Sequence, residues 1–297
     1  MTETEFFQEL DKILLSNTSK ISELIDEYYR QYPQSDHHHL VDHLIQCLNK
    51  KKYHLLPEQK DELWEITGSW GDIDLIDTLL ELQGGKCSSN NLLSTLHTEY
   101  AEDFHYIFDL INEYPNSYQY EPDNNLYELL KRIVSRSYQL EREKVVLPYF
   151  LKIWTSSPIL QKDLNQLIYY AMWNISSYST LDILIEFGAD PFANYYEGDV
   201  DTGIPIVLQT IQNNHSSITP LLECTAELKG WNIIDEWGRN LLHYVTNDQY
   251  TYNMLLEKGV DPDHRALIND KTKVVTAKMN GTLPKEYGKT PGELVKF

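Results

Sequence analysis

The chain has 297 residues, 41% hydrophobic and 24% charged, which is enough apolar surface for one elongated array or two ordinary domains. No apolar run reaches the roughly 20 residues needed to cross a bilayer, so no membrane-spanning helix is expected. The net charge is −20. Residues 264–297 hold seven Lys/Arg against three acids, or +4, which leaves −24 on residues 1–263.

A body this acidic repels phosphate backbones and anionic headgroups, because both recruit proteins through Lys/Arg neutralisation. It attracts basic proteins and speeds their encounter, although the charge also serves plain solubility. The expected partner is therefore a basic protein, with no direct nucleic acid and no membrane, and a monomer is favoured. Met1-Thr2-Glu3-Thr4-Glu5 carries acids where a secretory signal carries a basic stretch. With Cys47, Cys87 and Cys224 far apart and unpaired in pattern, this places the protein in a reducing cytosol, its own cell's or a host's.

From the N-terminus, Phe6, Leu10, Ile13 and Leu14 form one helical stripe and Ile21, Leu24, Ile25 and Tyr28 another, joined at Asn17-Thr18-Ser19. Tyr32-Pro33-Gln34-Ser35 and Leu56-Pro57 read as further joints. Between them lies His37-His38-His39-Leu40-Val41-Asp42-His43, followed by Cys47. On a helix His39, His43 and Cys47 share one face, and two imidazoles with a thiolate can bind zinc. A structural zinc site usually takes four ligands and no fourth is evident, so no metal is assigned. The preferred reading is a wet first turn and a buried cysteine.

Apolar stripes at helical spacing continue at Ile73 to Leu80, ending at Gly84-Gly85, and at Phe104 to Ile111, stopped by Tyr114-Pro115-Asn116. Residues 145–154 and 179–187 supply two more. One helix ending then occurs twice. Leu184-Ile185-Glu186-Phe187-Gly188-Ala189-Asp190-Pro191 matches Leu255-Leu256-Glu257-Lys258-Gly259-Val260-Asp261-Pro262, with the glycines 71 residues apart. Each is a stripe stopped by a left-handed glycine and an Asp-Pro turn. Between the copies stands Asp235-Glu236-Trp237-Gly238-Arg239-Asn240-Leu241-Leu242-His243-Tyr244-Val245, and Gly288-Lys289-Thr290-Pro291 opens a related segment near the C-terminus.

These segments resemble the ankyrin repeat, whose units open with an Asp/Gly turn and Thr-Pro-Leu-His-x-Ala. Asn240 stands for the Thr and retains its capping role. With that pattern, openings fall at Asp61, Asn91, Asn125, Asn165, Ile204, Asn240 and Thr290, each with a capping side chain or turn ahead of a stripe. The resemblance implies an all-α solenoid of stacked helix-turn-helix repeats over residues 58–297, with an insertion near 264–287. Residues 1–57 are then a helical N-terminal cap or small subdomain. The decayed repeats, rich in Asn, Ile, Tyr and Lys, are similar to those of ankyrin proteins among effectors and effector regulators of intracellular bacteria, and also of large DNA viruses. For His243 the resemblance implies a turn-bracing hydrogen bond.

The resemblance also implies a non-enzymatic protein-binding module that inhibits or regulates its partner. Its binding fingers are expected at 194–199 and 231–237. Candidate contact residues are Tyr195, Tyr196, Glu197, Asp199, Asp201, Trp231, Asp235, Glu236 and Trp237, aromatic area beside steering acids. Trp231 and Trp237 have an alternative place, packed between neighbouring repeats. The acids at 197–201 lack the twelve-residue ladder of a calcium loop. Phosphate loops, nucleophile elbows and His-Glu-x-x-His helices are absent from the sequence, so no catalytic residue and no cofactor is assigned. The alternative is an enzyme or zinc protein centred on the His-rich helix.

Overall fold

The computed structural model describes residues 2–16, 20–32, 37–50, 55–96, 102–136, 143–155, 161–173, 178–213, 218–224, 227–268 and 270–296. The expected joints at 17–19 and 33–35 lie outside these residues. Among the described residues the chain is mainly α-helical, with two small two-stranded sheets. It divides into two compact units, Met1–Arg132 and Ile133–Phe297.

In the first unit a Thr2–Glu5 capping box starts α1 (Glu3–Leu15). Phe6, Leu10 and Leu14 are buried, as are Ile21, Leu24, Ile25 and Tyr28 of α2 (Ile21–Gln31), and the Phe6 and Tyr28 rings stand 4.3 Å apart. α3 (His37–Asn49) packs on α5 (Ile73–Leu82), while α2 packs on α4 (Pro57–Trp70) and α4 on α6 (Ser89–Thr95). The amphipathic N-terminal helices thus bury their stripes on the helices that follow. Pro57 opens α4. Left-handed Gly71 closes it, and Asp72 caps α5 by accepting from the Leu75 N–H at 3.0 Å. Asp61 is therefore inside α4, not ahead of it. Ser88, rather than Asn91, caps α6, and Asn91 returns a hydrogen bond to the Ser88 N–H.

α4 carries Gly68 in its interior, where glycine costs helix stability. The reason is contact with α6: a Cβ at position 68 would stand 2.1 Å from the Ser94 carbonyl oxygen. Beyond α6 run α7 (Glu102–Glu113) and α8 (Leu126–Ser135). The loops before α6 and α8 carry β1 (Lys86–Ser88) and β2 (Gln119–Glu121), which pair in parallel as Lys86↔Gln119, Cys87↔Tyr120 and Ser88↔Glu121. Each pair is 33 residues apart (119 − 86, 120 − 87, 121 − 88).

The second unit holds α9 (Glu143–Thr155), α10 (Gln161–Trp173), α11 (Tyr178–Glu186), the antiparallel strands β3 (Asn194–Glu197) and β4 (Val200–Pro205), α12 (Ile206–Asn213), α13 (Thr219–Leu222), α14 (Gln249–Glu257) and α15 (Lys271–Met279). α10 packs on α11 and α12, α11 on α9 and α13, and α13 on α14. The openings at Asn240 and Thr290 produce single 3-10 turns, Leu241–His243 and Pro291–Glu293. Asn165 lies inside α10, where it accepts the Asp190 N–H at 2.9 Å. Ile204 lies on β4 rather than at a helix start, and the insertion forms α15.

The duplicated helix endings are one device. Ala189 N–H bonds Leu184 O and Gly188 N–H bonds Ile185 O; Val260 N–H bonds Leu255 O and Gly259 N–H bonds Leu256 O. Both glycines have positive φ, +94° and +83°. A third copy joins Gly85 to Leu80 and Gly84 to Glu81. Each is a Schellman closure that satisfies otherwise orphaned carbonyls. Asp190 and Asp261 then turn the chain by accepting the N–H two residues on, from Phe192 and Asp263, both at 2.9 Å.

Gly68→Ala is expected to cost about 2–3 kcal/mol, because two backbones must part. Gly259→Ala has no neighbour to strike and is expected to cost about 1 kcal/mol for the left-handed backbone alone. Urea midpoints of the two variants check that order. A second expectation concerns Asp103, buried in the first turn of α7 with Oδ2 lacking a hydrogen-bond partner among the described residues. Burial first, then the negative Glu102 and Asp72, pushes its carboxyl up to about 6. The folded value lies above the unfolded one, so the destabilisation is absent in acid, grows as pH rises from the ordinary carboxylate value toward 6 and is complete above it. Asp103→Asn should stabilise by about 1–3 kcal/mol at neutral pH and by almost nothing near the ordinary carboxylate pKa, read from melts across pH.

Candidate interaction surface

β3 and β4 form a hairpin that projects ahead of α12. Glu197 faces Val200 across its tip, where Gly198 takes φ +61°. Tyr195, half-buried, lays its ring 4.6 Å from that of Tyr169 on α10, and its carbonyl accepts the Thr202 hydroxyl at 2.7 Å. The Tyr196 carbonyl accepts from the Gln166 side chain at 2.6 Å, which fixes the hairpin to α10. Lys162 stands 2.7 Å from Asp199 and 5.7 Å from the Tyr196 ring centre. Asp201 accepts the Gly203 N–H at 2.8 Å and the Asn194 amide at 3.2 Å. The Lys162 hydrogen bond holds Asp199, and the Gly203 N–H holds Asp201, below the usual carboxylate range, so both stay ionised. Asp199 nonetheless remains 95% exposed, and Glu197 and Val200 are exposed beside it.

The second finger, residues 227–239, is held by a carboxylate. Asp235, its side chain only 2% exposed, accepts the Trp237 and Arg239 N–H groups, both at 2.8 Å, the Arg239 guanidinium at 2.6 Å and the Tyr244 hydroxyl at 2.5 Å. Burial, reinforced by Asp235, pushes the Tyr244 hydroxyl up, so it stays a donor. The Gln212 amide of α12 donates to the same hydroxyl at 2.9 Å and ties the finger to the preceding helix.

Two candidate contact residues are thereby corrected. Asp235 is committed to this network and is buried. Trp231 is 3% exposed, sits edge-on to Phe192 at 5.2 Å and donates its indole N–H to Leu228 O; it belongs to the core, because a large apolar ring gains more from burial than from solvent. Trp237 is half-buried against Tyr287 and under the Lys273 ammonium, which also pairs with Glu236. Glu236 itself is 67% exposed.

Between the fingers lies an open groove of about 440 Å³, walled by Ile204, Pro205 and Leu208 on one side and by Ile234 and Glu236 on the other. Ile234 is 54% exposed. Sequence reasoning passed over Ile234, Val200 and the groove, although an apolar residue beside acids in a loop is the signal that marks such a place. The hairpin also went unforeseen, because Glu197-Gly198-Asp199 reads as a solvated turn.

His243 braces a turn as the sequence implied. Its Nδ1 lies 2.7 Å from Asn240 Oδ1 and 3.1 Å from the Asn240 N–H, and its Nε2 lies 3.1 Å from Lys289 O, which ties the 3-10 turn to the C-terminal segment. Burial lowers its pKa, which favours the neutral ring. His43 and Cys47 come together with Asp11 of α1, a residue the sequence did not single out, and His39 is exposed one turn before His43. Among the described residues, that trio is the group of His, Cys, Asp and Glu side chains whose ligand atoms converge. Cys87 and Cys224 are buried, and burial pushes the Cys224 thiol up to about 12.

Asp235→Asn is expected to cost about 1–3 kcal/mol, since it weakens a buried acceptor that collects four donors and leaves Glu286, at 3.3 Å, as the remaining counter-charge of Arg239. Glu236→Gln, one residue on, should stay within about 0.5 kcal/mol. Thermal or urea melts of the pair check the contrast. A scan against protein-family models matches none, and searches of curated proteins and of solved structures find no similar chain.

Proposed function

We propose that this chain is a non-enzymatic protein-binding module of divergent ankyrin type, which binds and regulates a basic partner. The observation that carries the reading is the groove between two braced fingers, with exposed Ile234 and Glu236 on its wall and with Glu197, Asp199 and Val200 exposed on the hairpin that supplies Ile204 and Pro205. Rigid fingers lose little freedom on binding, and acids at the rim steer a cationic surface inward. The repeat assignment rests on the 33-residue register of β1 and β2, the repeated Schellman closures and the His243 brace. Ankyrin-type repeats run at about 33 residues and bind through such inter-repeat fingers.

The field comes mostly from elsewhere. Residues 1–132 hold 10 Lys/Arg against 25 acids, or −15, while residues 133–297 hold 15 against 20, or −5. Attraction is thus a property of the whole chain, and specificity belongs to the groove. In this reading Trp231 and Asp235 shape the site without touching the partner, and Tyr196, Asp201 and Trp237 support its walls.

The test is capture of basic proteins from the native cytosol by the wild-type chain and by a Glu197→Lys, Asp199→Lys, Glu236→Lys triple variant. Capture should fall at least tenfold in the variant with its melting temperature retained, and Ile234→Asp alone should have a comparable effect. Binding should also weaken between low and physiological salt. Capture that survives both the reversal and the Ile234 change would remove the groove from the mechanism.

A further inference from the structure

We propose that Asp11, His43 and Cys47 form a zinc site in the first unit. Two helices are involved: Asp11 comes from α1, and His43 and Cys47 are one turn apart on α3. Asp11 Oδ1 lies 3.1 Å from His43 Nε2 and 3.0 Å from Cys47 Sγ, and Sγ lies 3.4 Å from Nε2. The three atoms make a nearly equilateral triangle. Zinc bonded to nitrogen and oxygen at about 2.0–2.2 Å and to sulfur at about 2.3 Å spaces its tetrahedral ligands by only slightly more than this. One carboxylate, one imidazole and one thiolate also match zinc's preference among donors.

The same three residue types invite comparison with a nucleophilic triad, and the geometry argues against it. A triad uses both imidazole nitrogens, one toward the nucleophile and one toward the acid. Here Nε2 faces the thiol and the carboxylate together, which is convergence on one point and not a relay. Cys47 is moreover fully buried, out of reach of a substrate.

The surroundings favour a bound ion. Phe7 lies against the His43 ring at 4.3 Å and restricts its orientation. A hollow of about 380 Å³, lined by Phe7, His39, Asp42, His43 and Gln46, opens beside the site. It leaves room for water as a fourth ligand, since His39 is not among the converging atoms. On binding, the Cys47 thiol loses its proton to solvent and the sulfur takes the metal in place of the hydrogen bond to Asp11. The site would pin α1 to α3 beyond what their apolar stripes provide.

The experiment is titration of the reduced, chelator-treated full chain with Zn²⁺ and, separately, Co²⁺. One equivalent of Zn²⁺ should bind, and Co²⁺ should give a tetrahedral visible spectrum with a sulfur-to-cobalt charge-transfer band. Wild-type protein alone yields that signature, so the result does not depend on a buried variant folding. Cys47→Ser should abolish the band and weaken Zn²⁺ at least 100-fold, and Asp11→Asn and His43→Gln should each weaken it at least tenfold. His39→Ala should change it less than threefold. Absence of stoichiometric binding would overturn the site. So would binding without the sulfur band, or binding that survives Cys47→Ser and is lost in His39→Ala, which would assign the metal to the histidine run instead.

Discussion

The left-handed closure that ends a helix at three places in the chain is the interaction on which much of this structure depends. At Gly84-Gly85, Gly188-Ala189 and Gly259-Val260 the chain stops its helix, satisfies two carbonyls and leaves in a fixed direction. That direction sets where the following loop starts, as at β1 after Gly85 and at the Asp190 and Asp261 turns. The hairpin finger takes its origin from the closure at Gly188-Ala189. Without a positive-φ residue there, the helix would run on or fray, and the returning loop would have no defined origin.

Within that frame, close approach and charge burial do the finer positioning. Gly68 lets α4 and α6 meet backbone to backbone. Asp235 fixes a finger by collecting four donors on one carboxylate, two from its own loop backbone and two from the Arg239 and Tyr244 side chains. Asp103 shows the opposite bargain, a carboxyl half denied its partners and shifted toward neutrality. Buried carboxylates in this protein are therefore informative by their donors: a saturated one organises a loop, and an unsaturated one makes stability sensitive to pH.

Much of the helical organisation was legible, because the stripes at 6–14, 21–28, 73–80 and 104–111 bury most of the residues that periodicity selects, with Ile73 left exposed at a helix start. The helix endings at Gly188 and Gly259 were legible for a different reason: only glycine takes that backbone cheaply, so composition and geometry coincide. Helix starts were harder to place. Asp61 and Asn165 look like caps but lie inside α4 and α10, since Pro57 and tertiary contacts start those helices earlier. In the surface reading, Glu197, Asp199 and Glu236 stayed outside, while Trp231 and Asp235 went in. Burial of a loop aromatic depends on a remote ring, Phe192, and no local pattern encodes that meeting. Asp11 was invisible for the same reason. Its role arises from α1 and α3 lying together, not from its neighbours in sequence.

The saturated carboxylate of the second finger has a consequence for variation. Ile234 and Glu236 flank Asp235 directly, yet neither contributes a side chain to its network. The residue that keeps the loop's shape and the residues that meet the outside are therefore interleaved but chemically independent. Substitutions at 234 and 236 leave the carboxylate network intact, so under the proposed binding reading a finger of this design would change its target while holding its form.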